Sequence, residues 1–234
     1  MRCRNIKRTG SVICALCFLY ILCACTDDGP VKTRRQTGNH NRIVSGNSKM
    51  HEFPNIVKKT SYEELLPALG SAFRDKYGLV IKISEQKMYF LTESRIARTW
   101  DISSGIAGAG NLSGSGKTPL GLHRIASKTG AGARIGTIFS AKQNTGRIAQ
   151  IFTNDQKVPD DSVLTRVLHL EGLEEGKNRG GMVDSYARLI YIHGTPEEGY
   201  IGKPASMGCI RMRNTDVIEL FDMVKTGTLV AIVE

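Results

Sequence analysis

From Tyr77 to the end of the chain, short apolar runs alternate with polar and glycine-rich breaks, a pattern that predicts strands rather than long helices. Leu79-Val-Ile-Lys-Ile-Ser and Lys87-Met-Tyr-Phe-Leu form two such runs across a short break. Residues 95–103, 121–125, 134–139 and 188–193 give further strand candidates. The glycine-rich stretch 105–116 reads as loop. Toward the end, Asn214 is placed to cap a helix over 215–224, with Gly227 ending it, and a last strand covers 228–233. Strands outnumber helices, so the expected fold class is mostly β (α+β), with few short helices. No internal repeat is visible.

Upstream the pattern changes. Over 61–76, Ser61 and Glu64 have capping-box spacing, and Leu65, Leu66, Leu69 and Phe73 can share one helical face, which Pro67 interrupts. That segment reads as a short helical lead-in to a domain spanning 77–234. Residues 25–60 are polar and basic and read as a flexible tether. Residues 1–24 have the form of a signal peptide: Arg2, Arg4, Lys7 and Arg8, then an apolar run from Ser11 to Leu22, too short to span a bilayer. The run ends Leu22-Cys23-Ala24-Cys25 and turns polar at once, which resembles a bacterial lipobox. Cleavage before Cys25 would leave that thiol to carry lipid, anchoring the protein at a membrane in the periplasm or cell envelope; an ordinary cleaved signal and a retained anchor are the alternatives.

The leader also changes what charge and cysteine content mean. The whole chain carries a formal +10; without the leader's four basic residues it keeps 28 basic against 22 acidic, a net +6. A modest positive excess suits an anionic envelope polymer or surface. Basic residues are not interleaved with aromatics, so nothing argues for nucleic acid. Of the six cysteines, Cys3, Cys14, Cys17 and Cys23 leave with the leader and lipid occupies Cys25. Cys209 is then the single thiol of the folded body of an exported protein, with no intramolecular disulfide partner.

Two segments carry the chemistry: Tyr191-Ile-His-Gly-Thr-Pro and Ser206-Met-Gly-Cys-Ile-Arg-Met. A nucleophilic cysteine needs a base, a positive surrounding that favours thiolate near neutral pH, and N–H groups aimed at the developing oxyanion. His193, at the end of an apolar strand, is the candidate base. Gly208 lets backbone approach a substrate carbonyl, and the amides of Met207, Gly208 and Cys209 are candidate oxyanion donors. Arg211 shares a face with Cys209 if the segment is extended, and its fork suits a carboxylate. On the residues alone, the alternative stands equally: Cys209 as a small buried apolar residue and His193 as a structural histidine.

The combination resembles the YkuD-type L,D-transpeptidases, cysteine transpeptidases of peptidoglycan. The likeness rests on His193-Gly194-Thr195 and, sixteen positions from His193, the thiol within Ser206-Met-Gly-Cys-Ile-Arg-Met. Gly116-Lys-Thr-Pro-Leu-Gly, the opening strand pair and Gly227-Thr228-Leu-Val extend it over roughly 77–234. The resemblance implies a β-rich sandwich or barrel in which Cys209 attacks the carbonyl before D-Ala of a tetrapeptide stem, releases D-Ala and forms a thioester. An amine of a second stem, or a lipoprotein lysine, resolves it. It further implies His193 as base, the Gly194 carbonyl as its orienting group, Arg211 in substrate binding, and Ser206 in shaping the turn. Met207 departs from the pattern, because many members carry histidine there.

The remaining candidates are weaker. Residues 171–184 read either as a loop over the site, with Asn178 and Arg179 meeting substrate and His169 nearby, or as a surface insertion. His123, His193 and Cys209 lack the spacing of a zinc site, so no metal or other cofactor is expected. Two other functions compete with transpeptidation: hydrolysis of the same thioester, giving an L,D-carboxypeptidase, and an inactive wall-binding lipoprotein with Cys209 merely buried.

Overall fold

The computed structural model describes residues 77–92, 95–159 and 162–234. The leader, the Cys25 lipid site, the tether and the helical lead-in all lie outside the described residues. The described residues hold ten strands: β1 (Tyr77–Lys82), β2 (Lys87–Thr92), β3 (Arg95–Asp101), β4 (Gly121–Thr129), β5 (Thr137–Ser140), β6 (Gln143–Ile148), β7 (Val163–Gly172), β8 (Tyr191–Gly194), β9 (Ile210–Met212) and β10 (Leu229–Val233). One α-helix of the described residues, α1 (Asn214–Met223), joins β9 to β10.

All ten strands belong to one sheet, ordered β3-β2-β1-β10-β4-β7-β5-β6, with β8 and β9 branching from β7. The β1–β2 hairpin is antiparallel, and the C-terminal β10 inserts between β1, to which it is parallel, and β4. The expected mostly-β class is what the structure has. Period-2 alternation sorts the side chains. Leu79, Ile81, Met88, Phe90, Ile125, Leu168, Leu170, Ile192, Ile210, Met212, Val230 and Ile232 point to one face and form the main core with Val217, Leu220 and Phe221 of α1. The helix residues recur at three and four positions, giving one apolar stripe. Lys128 of β4 donates to the carbonyls of Phe221 (2.6 Å) and Val224 (2.5 Å), satisfying the helix C-terminus and tying it to the sheet.

Several elements depart from the sequence expectation. Residues 134–136 form a turn, with Gly136 at φ 80°, and the strand begins at Thr137. Residues 188–190 are not strand: Leu189 sits at φ 57°, and β8 starts at Tyr191. β6 was not anticipated, since every one of its residues is exposed and it carries no apolar alternation. β7 was also missed, because its register shifts between Leu164 and Val167, around Thr165 at φ 68°, and breaks the two-residue period. Asn214 does not cap α1 from outside. It is the first residue of the helix and buried, accepting from Thr165 Oγ1 (2.5 Å) and donating to Thr195 O (2.8 Å) and Glu198 Oε1 (2.7 Å).

Candidate active site

The same alternation that sends Ile192, Ile210 and Met212 into the core sends their neighbours to the opposite face. β8 and β9 run parallel, with Ile192 opposite Ile210 and His193 opposite Arg211. One step before β9, Cys209 falls level with Tyr191, two positions from His193 on the same face. Such diagonal neighbours lie about 7–8 Å apart at Cα, a span that an imidazole and a thiol bridge together. Thus a chain separation of sixteen residues collapses to adjacent strand ends.

Cys209 is half-buried beside Phe139, Val167 and Tyr191. Its Sγ accepts from the Tyr191 amide at 3.4 Å and donates to the Leu189 carbonyl at 3.4 Å. His193 is almost fully buried, and its Nδ1 lies 2.7 Å from the Gly194 carbonyl. A carbonyl can only accept, so Nδ1 carries the hydrogen and Nε2 is the basic nitrogen. Gly194 is glycine for a steric reason: a Cβ there would stand 2.3 Å from Asn214 Oδ1 and 3.0 Å from the Leu164 carbonyl. The imidazole is therefore oriented by backbone that Asn214 and β7 hold in place.

The turn ahead of Cys209 is built from buried polar contacts. Ser206 is wholly buried; its hydroxyl donates to the Cys209 carbonyl (2.6 Å) and accepts from the Gly208 amide (3.1 Å). Ser206 shapes the turn, as the resemblance implies, and is not turned to a substrate. The Gly208 N–H already has an acceptor within that turn, which corrects its place among the oxyanion donors; the Met207 and Cys209 amides stay as the candidates. Gly208 adopts φ 119° and its Cβ position lies 3.0 Å from the Lys117 carbonyl, so only glycine fits there. Thr118, in the Lys-Thr-Pro segment, is buried and donates to the Gly208 carbonyl (3.0 Å) while accepting from Gly105 N (2.8 Å). The glycine-rich loop thereby positions the thiol-bearing turn. Met207 is 74% exposed beside the thiol.

Arg211 also differs from expectation. It is 3% exposed and donates to Glu197, 5% exposed, at 2.8 Å. The guanidinium that the sequence offered to a substrate carboxylate faces a carboxylate of the protein itself. Glu197 in turn accepts from the Val158 amide (2.8 Å), so the pair ties β9 to the segments after β6 and β8.

Asn178 is wholly buried and donates to the Leu120 and Leu122 carbonyls at 3.1 Å each, a structural brace and not a substrate contact. Arg179 is exposed and 3.9 Å from Glu175. His169 is buried, stacked on Tyr186 at 4.0 Å and edge-on to Tyr191 at 4.8 Å; burial lowers its pKa. His123 is fully buried between the Gly121 carbonyl and the Ser185 hydroxyl, both at 3.0 Å, and desolvation lowers its pKa to about 4. Sequence reasoning gave no role in the site to Thr118, Arg188, Glu197 or Asn214. Arg188 carried the clearest signal, a lone cation opening an apolar run.

Fold and site together define a strand-rich domain with a cysteine–histidine pair whose imidazole is oriented by a carbonyl, the arrangement of a cysteine acyltransferase. The chain belongs to the YkuD family of L,D-transpeptidase catalytic domains, whose pattern matches residues 76–232. It is 58% identical over 61 residues to YkuD of Bacillus subtilis, a stretch covering 24% of this chain and 37% of that protein. It is 51% identical over 47 residues to ErfK/SrfK of Salmonella typhimurium, covering 20% of this chain and 15% of the relative. The chain thus spans little more than a third of the first relative's length. An L,D-transpeptidase structure from Mycobacterium smegmatis aligns with TM-score 0.42 at 16% identity, over 68% of this chain and 59% of that one.

Proposed function

We propose that this protein is an L,D-transpeptidase acting on peptidoglycan tetrapeptide stems at the cell envelope. The observation that carries the reading is the juxtaposition of Cys209 and His193 on adjacent parallel strand ends, with Nδ1 of His193 held by the Gly194 carbonyl. His193 Nε2 takes the Cys209 proton, and the thiolate attacks the carbonyl preceding D-Ala. The resulting oxyanion faces the Met207 and Cys209 amides. Collapse breaks the peptide bond, the departing D-Ala amine takes the proton from the imidazolium, and a thioester with Cys209 remains. An acceptor amine, from a second stem or a lipoprotein lysine, attacks the thioester, passes its proton to His193 and releases the thiolate. Arg211, held by Glu197, fixes β9 rather than gripping the stem. The signal-peptide and lipobox pattern supports export and lipid attachment at Cys25, which would hold the domain at a membrane facing the wall.

Incubation of the protein with tetrapeptide muropeptides, read by mass spectrometry, tests this. D-Ala release with dimer formation is expected, and both activities are lost in Cys209→Ala and His193→Gln. Wild-type release by either variant refutes the mechanism. Tripeptide monomers without dimers would instead assign hydrolysis, and a protein that neither releases D-Ala nor acylates Cys209 would be a wall-binding module.

A further inference from the structure

Two arginines lie near the thiol, and the structure gives them different partners. Arg211 is neutralised by Glu197. Arg188, half-buried in the turn before β8, donates only to neutral carbonyl oxygens: Gly110 (3.3 Å) and Asn111 (2.7 Å) through Nη1, and Lys117 (2.5 Å) through Nη2. Those carbonyls belong to the glycine-rich segment whose Thr118 holds the Gly208 carbonyl and whose Lys117 carbonyl packs on Gly208. The next residue, Leu189, adopts a left-handed φ of 57° and turns its carbonyl to the Cys209 thiol. A leucine in this conformation is disfavoured and persists only where its surroundings impose it. The anchored Arg188 on one side and the Leu189 amide on the Tyr186 carbonyl (3.0 Å) on the other are those surroundings.

We propose that Arg188 is the positioning residue of the site: it locks the 110–118 segment against the 206–209 turn and supplies the uncompensated positive charge that a Cys209 thiolate faces. The proposal rests on the reading of Cys209 as nucleophile. Burial works against the charge on Arg188 and an ionised Cys209 works in its favour, so the two groups feel one another. The other ionisable groups on the elements beside the thiol are Tyr186 from the turn before β8, Tyr191 and His193 from β8, Glu197 from the loop after β8 paired with Arg211 of β9, and Lys117 from the glycine-rich segment. Burial and the Cys209 charge both raise the pKa of Tyr191, so it is a neutral phenol here and offers no competing charge. Three parallel demands, fork geometry, fixed charge and a span between two loops, suit arginine and not lysine.

The test uses the full chain and follows carboxamidomethylation of the Cys209 peptide by iodoacetamide against pH, alongside D-Ala release from tetrapeptide muropeptides. Arg188→Met is expected to raise the alkylation midpoint by about one pH unit, because it removes an opposite charge that favours the ionised thiol. Its kcat/KM for D-Ala release should fall at least tenfold. Arg188→Lys keeps the charge, so its midpoint should stay near wild type while kcat/KM still falls, since one ammonium cannot span three carbonyls. An unchanged midpoint in folded Arg188→Met overturns the proposal. If Arg188→Met does not fold, Arg188→Lys decides: wild-type kcat/KM there overturns it equally. A wild-type protein that alkylates normally at Cys209 but releases no D-Ala refutes the transpeptidase reading and leaves the alkylation titration to judge Arg188 separately.

Discussion

Replacing Arg211 by methionine discriminates a substrate-gripping guanidinium from a buried structural ion. In the structure the Arg211–Glu197 pair is 3% and 5% exposed with a 2.8 Å contact. Removing one member of such a pair strands the other charge away from water, at a cost of about 3–5 kcal/mol. For a domain of this size each kcal/mol lowers Tm by about 2–4 °C, so Arg211→Met should melt roughly 10 °C below wild type. Glu197→Gln strands the guanidinium instead and should cost a similar amount, although Gln can still accept from the Val158 amide. The double variant Arg211→Met/Glu197→Gln strands no charge, so it should recover about 2 kcal/mol or more relative to the sum of the singles. Urea unfolding read by tryptophan fluorescence measures this directly. The chain has a single tryptophan, and Trp100 is 5% exposed in the main core with its indole N–H on Glu219. If Arg211→Met unfolds at the wild-type urea concentration and only KM for muropeptide rises, Arg211 faces the substrate and the structural assignment is wrong.

His123 provides a pH-dependent counterpart. It is neutral in the fold, with a pKa near 4, against about 6.5 when unfolded, so the unfolded chain binds a proton that the folded protein refuses. Its contribution is fully present above pH 6.5 and disappears as pH falls toward 4, a loss of up to about 3 kcal/mol. Urea midpoints at pH 7, 5 and 4 should decline accordingly, and His123→Gln should flatten that decline; an unchanged slope would remove His123 as the cause. Gly194→Ala places a methyl 2.3 Å from Asn214 Oδ1, so Asn214 must move. It should cost about 1–3 kcal/mol, and D-Ala release should fall further than stability alone explains, because the carbonyl that orients His193 shifts with it. Wild-type D-Ala release in this variant would show that the Gly194 position does not set the imidazole.

The amino-acid sequence by itself determined the fold class, the β1–β2 hairpin, the closing strand and the two segments that carry the thiol and the imidazole. Those features are local: two-residue alternation, turn residues and short motifs express themselves wherever the chain goes. It also presented Cys209 as the single thiol of residues 26–234. Only the tertiary structure decided who meets whom. β6 has no apolar face and exists because β5 pairs with it, and β7 hides its periodicity behind the shift at Thr165. Arg211 and Arg188 both sit on elements beside Cys209, yet one is met by Glu197 and the other by three carbonyls. Ser206 and Gly208 satisfy each other within the turn. The physical reason is that charge pairing and hydrogen-bond satisfaction depend on distances between segments far apart in the chain. The side-chain pattern chooses each residue's face of the sheet, and the packing of strand against strand and loop against loop chooses its partner.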